Sequence, residues 1–161
     1  MERIWAPWRM EYILDDKPVG CIFCISEQPA DDRQGLIIRR SSHSFVILNR
    51  YPYTNGHLLI APYRHTAEMD DLTDAETLDM FANLRLCRSV LRRVAGPDGF
   101  NIGINLGKPA GAGLEDHIHI HIVPRWNGDT NFISVMADIR VMPENLLATY
   151  DNLLPEFQAL R

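Results

Sequence analysis

Residues 116–126 read DHIHIHIVPRW, and the alternation inside that stretch decides the fold. His117, His119 and His121 take every second position, with Ile118, Ile120 and Ile122 between them. Along a β-strand successive side chains point to opposite faces, and same-face neighbours stand about 6.5 Å apart. The spacing predicts a strand with three imidazoles on one face and three isoleucines on the other. The isoleucines belong against a core, so the histidines look into a cleft or a partner layer. Half of the chain's six histidines fall in this one strand. Three readings compete: a solvated histidine face, a metal site built on histidines two apart, and nucleophilic catalysis by the middle imidazole.

Outward from the strand, composition bounds the answer. At 161 residues, 46% hydrophobic and 23% charged, the chain suits one globular domain with a real core. The formal net charge of −5 argues against a nucleic-acid or anionic-membrane partner. Among the basic residues only Lys17 and Lys108 are lysines, and arginine suits bidentate phosphate contacts. No apolar run approaches the ~18 residues of a membrane span, and Met1-Glu2-Arg3 opens no secretory signal. Three cysteines without such a signal point to a reducing cytoplasm and no disulfide framework.

Upstream, residues 3–13 (RIWAPWRMEYI) form an aromatic arm around Pro7, within an N-terminal segment taken as 1–19. Runs 36–40 (LIIRR) and 44–49 (SFVILN) flank Ser41-Ser42-His43 as a hairpin, with His43 as a solvated turn residue. The turn RYPYTNGH leads into a strand over 57–62. Residues 73–95 are predicted as a helix, with Leu78, Phe81, Leu84, Cys87, Leu91 and Val94 at helical spacing. Thr73 and Glu76 make a capping box, and Gly96-Pro97 ends the helix. Residues 100–106 alternate as a strand, and the glycine-rich 107–115 runs into the histidine strand. Backbone amides of such a loop can approach an anion closely. A short strand over 131–137 and a helix over 143–160, capped near Pro143-Glu144, complete a C-terminal extension taken as 127–161.

Residues 20–24 read GCIFC. The C-x-x-C pair is a metal knuckle, a redox motif, or two buried thiols. As a zinc site it needs two more ligands, with His43, His57, His65 and the strand histidines as candidates. Cys87, inside the helical pattern, reads as core.

The row His117-x-His119-x-His121 followed by Ile122-Val123, with GHLLIAP upstream, resembles the histidine-triad (HIT) superfamily of nucleotide hydrolases and transferases. The stretches IWAPWRMEYI, LNRYPYTNGHLLIAPYRH, GFNIGINLG and HIVPRW…GDTNF extend the likeness to nearly the whole chain. They are most similar to the bacterial branch related to diadenosine tetraphosphate phosphorylases. The resemblance implies a single α+β domain over 1–161: about five antiparallel strands, one long helix and a C-terminal helix. It also implies a homodimer.

The same resemblance implies cleavage of a dinucleoside polyphosphate at its α-phosphate. His119 is then the nucleophile and forms a covalent nucleotidyl-histidine. His121 and His57 flank the phosphate, as protonated or donor nitrogens that stabilise growing charge. Asn49, eight residues before His57, takes the family's ribose-binding place. Asn105 matches the phosphate-contacting Asn or Gln, although it precedes His117 by twelve residues, one more than in better-known branches. Those branches also carry a Gln-Ser or Gln-Thr pair near Gly113-Leu114. This chain has none, which leaves the backbone of Gly111, Ala112 and Gly113 as the replacement. Trp126 is a candidate contact to the second nucleotide. Some superfamily members hold a structural zinc with the equivalents of Cys21, Cys24, His65 and His117, and all four are present. Other activities compatible with these residues are phosphoramidate hydrolysis, a zinc-stabilised nucleotide-binding regulator, and a catalytic-zinc hydrolase.

Overall fold

Strands form where the apolar alternation predicts them: β1 (Ile37–Arg40), β2 (Ser44–Leu48), β3 (Leu58–Pro62), β4 (Gly99–Ile104) and β5 (Ile120–Arg125). Two α-helices join them, α1 (Asp74–Ala95) and α2 (Leu146–Ala159). The computed structural model describes residues 20–25, 31–111, 115–129 and 144–160. The aromatic arm, the expected strand over 131–137, and Ala112 and Gly113 lie outside the described residues.

The sheet runs β1-β2-β3-β5-β4, and every neighbouring pair is antiparallel. Its central strand, β3, is buried at all five positions, which explains why LLIAP reads as a continuous apolar run. On one face Val46, Leu48, Leu58, Ile60, Ile120 and Ile122 pack against Met80, Leu84, Cys87 and Leu91 of α1 and Tyr150, Leu153 and Phe157 of α2. On the other, Phe45, Leu59 and Ala61 pack against Phe23 from the C-x-x-C segment. Ile120 and Ile122 of the histidine strand thus face the helices, as the alternation requires.

The paired part of that strand starts later than expected, at Ile120 rather than 116. The reason lies in β3. Pro62 has no amide hydrogen to extend the ladder, and its carbonyl accepts from His117 Nε2 at 2.9 Å. Ile118 N donates to Thr66 O instead, at 2.7 Å. Residues 117–119 therefore approach the sheet as bonded but unpaired chain.

Helix α1 begins as predicted: Thr73 Oγ1 accepts from Glu76 N, and Glu76 Oε2 accepts from Thr73 N at 2.8 Å. Gly96 ends it in the left-handed region at φ 53°. The buried stripe differs from the predicted one. It follows Met80, Asn83, Leu84, Cys87, Val90 and Leu91, while Leu78, Phe81 and Val94 are 71%, 54% and 38% exposed. At about 100° per residue, Leu78 lies roughly opposite the stripe and Phe81 well outside it. Val94 keeps the stripe's heading but sits in the last turn. Asn83 is the polar member of the stripe. It donates to Ser41 Oγ and Ser44 Oγ at 2.6 and 2.9 Å, which fastens the β1–β2 turn to α1.

Helix α2 starts three residues later than the 143–160 expectation. Asn145, not Pro143-Glu144, is its N-cap, accepting from Leu147 N at 2.8 Å. The Glu144 carboxylate is engaged by Thr149 Oγ1 and Asn152 Nδ2.

Candidate active site and metal centre

Because β5 lies between β3 and β4, its histidine face is flanked by both strands. Leu59 and Gly103 are the cross-strand partners of His121, and cross-strand partners share a face. A Cβ at Gly103 would meet none of the described residues within 4 Å, so the glycine leaves open space beside His121. The register extended by one residue brings Asn105 opposite His119.

His57 enters from the turn before β3. That turn needs Gly56: its φ is +76°, and a Cβ there would stand 3.0 Å from Leu91 Cδ2. His57 Nε2 lies 3.0 Å from His121 Nδ1, and Tyr53 N donates to His57 Nδ1 at 3.2 Å. An amide can only donate, so His57 Nδ1 carries a lone pair and the proton sits on Nε2. His57 therefore donates to His121 Nδ1, and His121 keeps its own proton on Nε2. That atom is buried and, among the described residues, has no hydrogen-bond partner. A buried donor left without a partner is costly. Here it is aimed from the histidine face.

His119 is fixed by the same logic. Its Nδ1 lies 2.8 Å from the carbonyl of His117, which can only accept, so Nδ1 carries the proton and Nε2 the lone pair. Burial holds all three imidazoles below the ordinary range. His57 is pushed to about 3 by burial and then by the neighbouring His121 and His119. His121 falls to about 4, through burial and His119. His119 is lowered by burial, opposed by its bond to the His117 carbonyl. The cluster is neutral at pH 7, so of the two forms expected for His57, protonated or donor, its geometry is that of a neutral donor engaged with His121.

The other end of the row gathers residues that could hold a metal ion. His117 reverses the pattern of His119: Nε2 donates to Pro62 O, and Nδ1 faces Cys21 Sγ at 3.3 Å and Cys24 Sγ at 4.0 Å. Cys24 Sγ stands 3.1 Å from His65 Nδ1. The four ligand atoms of Cys21, Cys24, His65 and His117 all lie within 4.8 Å of one another. Tetrahedral zinc with bonds of about 2.3 Å to sulfur and 2.0 Å to nitrogen has S···N edges of about 3.5 Å. The separations of 3.1–4.0 Å straddle that value, so the residues fit a closed metal site. His43, the remaining candidate ligand, is exposed in its turn.

The binding residues implied by the family resemblance are placed as follows. Asn49 Oδ1 accepts from Tyr51 N at 2.9 Å and its Nδ2 lies 3.2 Å from His57 Nδ1, so it braces the His57 loop. Asn105 Nδ2 donates to Gly111 O at 3.4 Å and ties the strand end to the glycine loop. Trp126 is not brought to the cluster. It follows the last residue of β5, and its Nε1 donates to Ala95 O at the end of α1. Three residues escaped the sequence reading. Tyr53 stacks on His121 (centroids 6.0 Å, planes 6° apart), Phe23 packs on His119, and Gly103 opens the cleft. Gly103 was legible as a small residue on the histidine-side face of β4; the two rings needed the folded chain.

Comparison with known proteins agrees with this geometry. The HIT domain family model matches residues 32–128. A protein of Mycobacterium tuberculosis named AP-4-A phosphorylase is 39% identical over 98% of this chain and 85% of its own length. A bis(5'-adenosyl)-triphosphatase of Dictyostelium discoideum is 37% identical over 60% of this chain and 64% of its own. A crystal structure of a zinc-bound histidine triad family protein from Mycobacterium smegmatis superposes with a TM-score of 0.67 at 30% identity, covering 87% of this chain and 94% of that one. The triple of imidazoles, the sheet that carries it and the family match lead to one conclusion: this chain belongs to the HIT domain family.

Proposed function

We propose that this protein is an enzyme that cleaves dinucleoside polyphosphates, diadenosine tetraphosphate above all, by phosphorolysis at the α-phosphate. The observation that carries the reading is the pair of fixed tautomers. His119 offers a lone pair at Nε2 while, two residues on, His121 offers an unpartnered N–H at Nε2. His119 Nε2 attacks the α-phosphorus, the bond to the bridging oxygen breaks, and ATP leaves. His121 Nε2–H donates to the phosphoryl oxygens as their charge grows. His57 holds His121 in the donating tautomer. Inorganic phosphate then attacks the adenylyl-histidine, releasing ADP and restoring neutral His119. The near full-length similarity to a protein named AP-4-A phosphorylase supports phosphate as acceptor; similarity to a triphosphatase supports water as the second reading.

Asn49, Asn105 and the backbone of Gly111, Ala112 and Gly113 bind ribose and phosphates in this reading. A structural zinc held by Cys21, Cys24, His65 and His117 would fasten the 20–25 turn beside the site and take no part in the chemistry. Exposed Ile102 and Leu106 at the β4 edge, with Leu78 and Phe81 on α1, support a homodimer. Three free thiols suit a reducing cytoplasm. The test is product analysis on diadenosine tetraphosphate with and without inorganic phosphate. ADP plus ATP formed only with phosphate is the expected result. AMP plus ATP in both cases moves the assignment to a hydrolase, and no turnover at all removes the reading.

A further inference from the structure

Between Cys21 and Cys24 stand Ile22 and Phe23, in a tight turn where Cys24 N donates to Cys21 O at 3.1 Å. The turn sends one side chain out and one in: Ile22 is 48% exposed and Phe23 1%. The Phe23 ring lies 4.7 Å from that of His119 and 5.4 Å from that of His117. The His119 ring thus has two ring neighbours, Phe23 at 4.7 Å and His121 at 4.8 Å. One hydrogen bond, Nδ1–H to the His117 carbonyl, sets the tautomer of His119. The second torsion of a histidine is soft, so the ring's heading depends on what packs against it.

The two neighbours of His119 in the metal centre are anchored differently. His117 keeps its place through protein bonds of its own, Nε2 to Pro62 O and the following amide to Thr66 O. The backbone hydrogen bonds of residues 20–25, among the described residues, stay within the segment. Its polar ties to the rest of the fold are the thiols of Cys21 and Cys24 toward His117 and His65.

We infer that Phe23 is a positioning residue for His119, and that the metal centre acts on turnover through Phe23 and not through His117. A metal held by Cys21 and Cys24 would fix the turn from both sides and so keep the Phe23 ring against His119. This rests on the reading of His119 as nucleophile. A displacement of a reacting group by about 1 Å costs on the order of 10²-fold in rate.

The experiment compares metal-loaded wild type, Phe23→Ala, Phe23→Leu, Cys24→Ser and the Phe23→Ala/Cys24→Ser double variant. Metal content, kcat and KM on diadenosine tetraphosphate with phosphate, and the His119 tautomer by ¹H–¹⁵N correlation at pH 8 are read for each. Phe23→Ala is expected to keep its metal and its KM and to lose about 30–100-fold in kcat. Its His119 signal passes from one tautomer to a mixture, and Phe23→Leu restores most of both. Cys24→Ser loses the metal and a similar factor in kcat, and adding it to Phe23→Ala costs little more. Should the alanine variant not fold, Phe23→Val leaves a smaller void and reads the same quantities. Multiplying losses in the double variant, or Phe23→Ala with full kcat and a single tautomer, overturns the inference. A wild type without turnover would instead remove the proposed activity, and the tautomer and metal readings would still decide the role of Phe23.

Discussion

His117 and His119 are the same residue type, two positions apart on one face, and they present opposite nitrogens. His117 gives its Nε2 proton to Pro62 O and turns a bare Nδ1 to the thiols. His119 gives its Nδ1 proton to the carbonyl of His117 and turns a bare Nε2 to the cleft. A backbone carbonyl decides in each case which nitrogen is left, and so whether the imidazole serves a metal or a substrate. Identity and alternation put the rings in a row. The local backbone gives each its task.

The sharpest way to break the comparison is to remove each ring separately. His119→Gln is expected to lower kcat at least ~10³-fold while metal content and melting temperature stay near wild type. His117→Gln should do the reverse: metal is lost and the melting temperature falls by roughly 10 °C, yet turnover remains measurable. Metal analysis, calorimetry and the phosphorolysis assay on both proteins check it; equal losses of activity would dissolve the distinction.

A smaller effect sharpens the substrate end. Gly103→Val places a branched side chain beside His121, where a Cβ would meet none of the described residues within 4 Å. Nucleotide affinity should drop about tenfold or more in a titration, with metal content unchanged. An unaltered affinity would mean that the phosphates do not pass over Gly103.

The smallest effect is on stability. Burial lowers His57 from 6.5 to about 3, so the folded protein keeps it neutral where the unfolded chain protonates it. The contribution is whole above pH 6.5 and declines as pH falls toward 3, since the unfolded state then binds more protons. For one such group the slope is roughly 1.4 kcal/mol per pH unit. Glu76, held at about 2 by the Arg64 guanidinium, titrates in the unfolded chain only near 4.5, so the window from 6.5 to 4.5 isolates the histidine cluster. Urea titrations across that window should show a shallower pH dependence in His57→Gln than in wild type.

Much of this was legible before folding. The Thr73–Glu76 capping box and the Gly96 stop are local patterns that appear where the sequence placed them, and the strand of alternating His and Ile forms too, though its pairing begins only at Ile120. On α1 Leu78 and Phe81 are exposed against expectation, because apolar residues outside the sheet-facing arc read the same as those within it. Asn83 was passed over because its burial depends on Ser41, Ser44 and Arg39, far away in the chain.

The sequence by itself determined the residue types and their period: three imidazoles at every second position, a C-x-x-C turn, and short apolar runs that form the strands. Tertiary structure decided which imidazole nitrogen is free, because that rests on Pro62 O, on the His117 carbonyl and on the amide of Tyr53. It also decided that the inner ring of the C-x-x-C turn lies on His119, a contact between residues 96 positions apart. Period is a property of neighbours along the chain. Tautomer and ring contact are properties of neighbours in space.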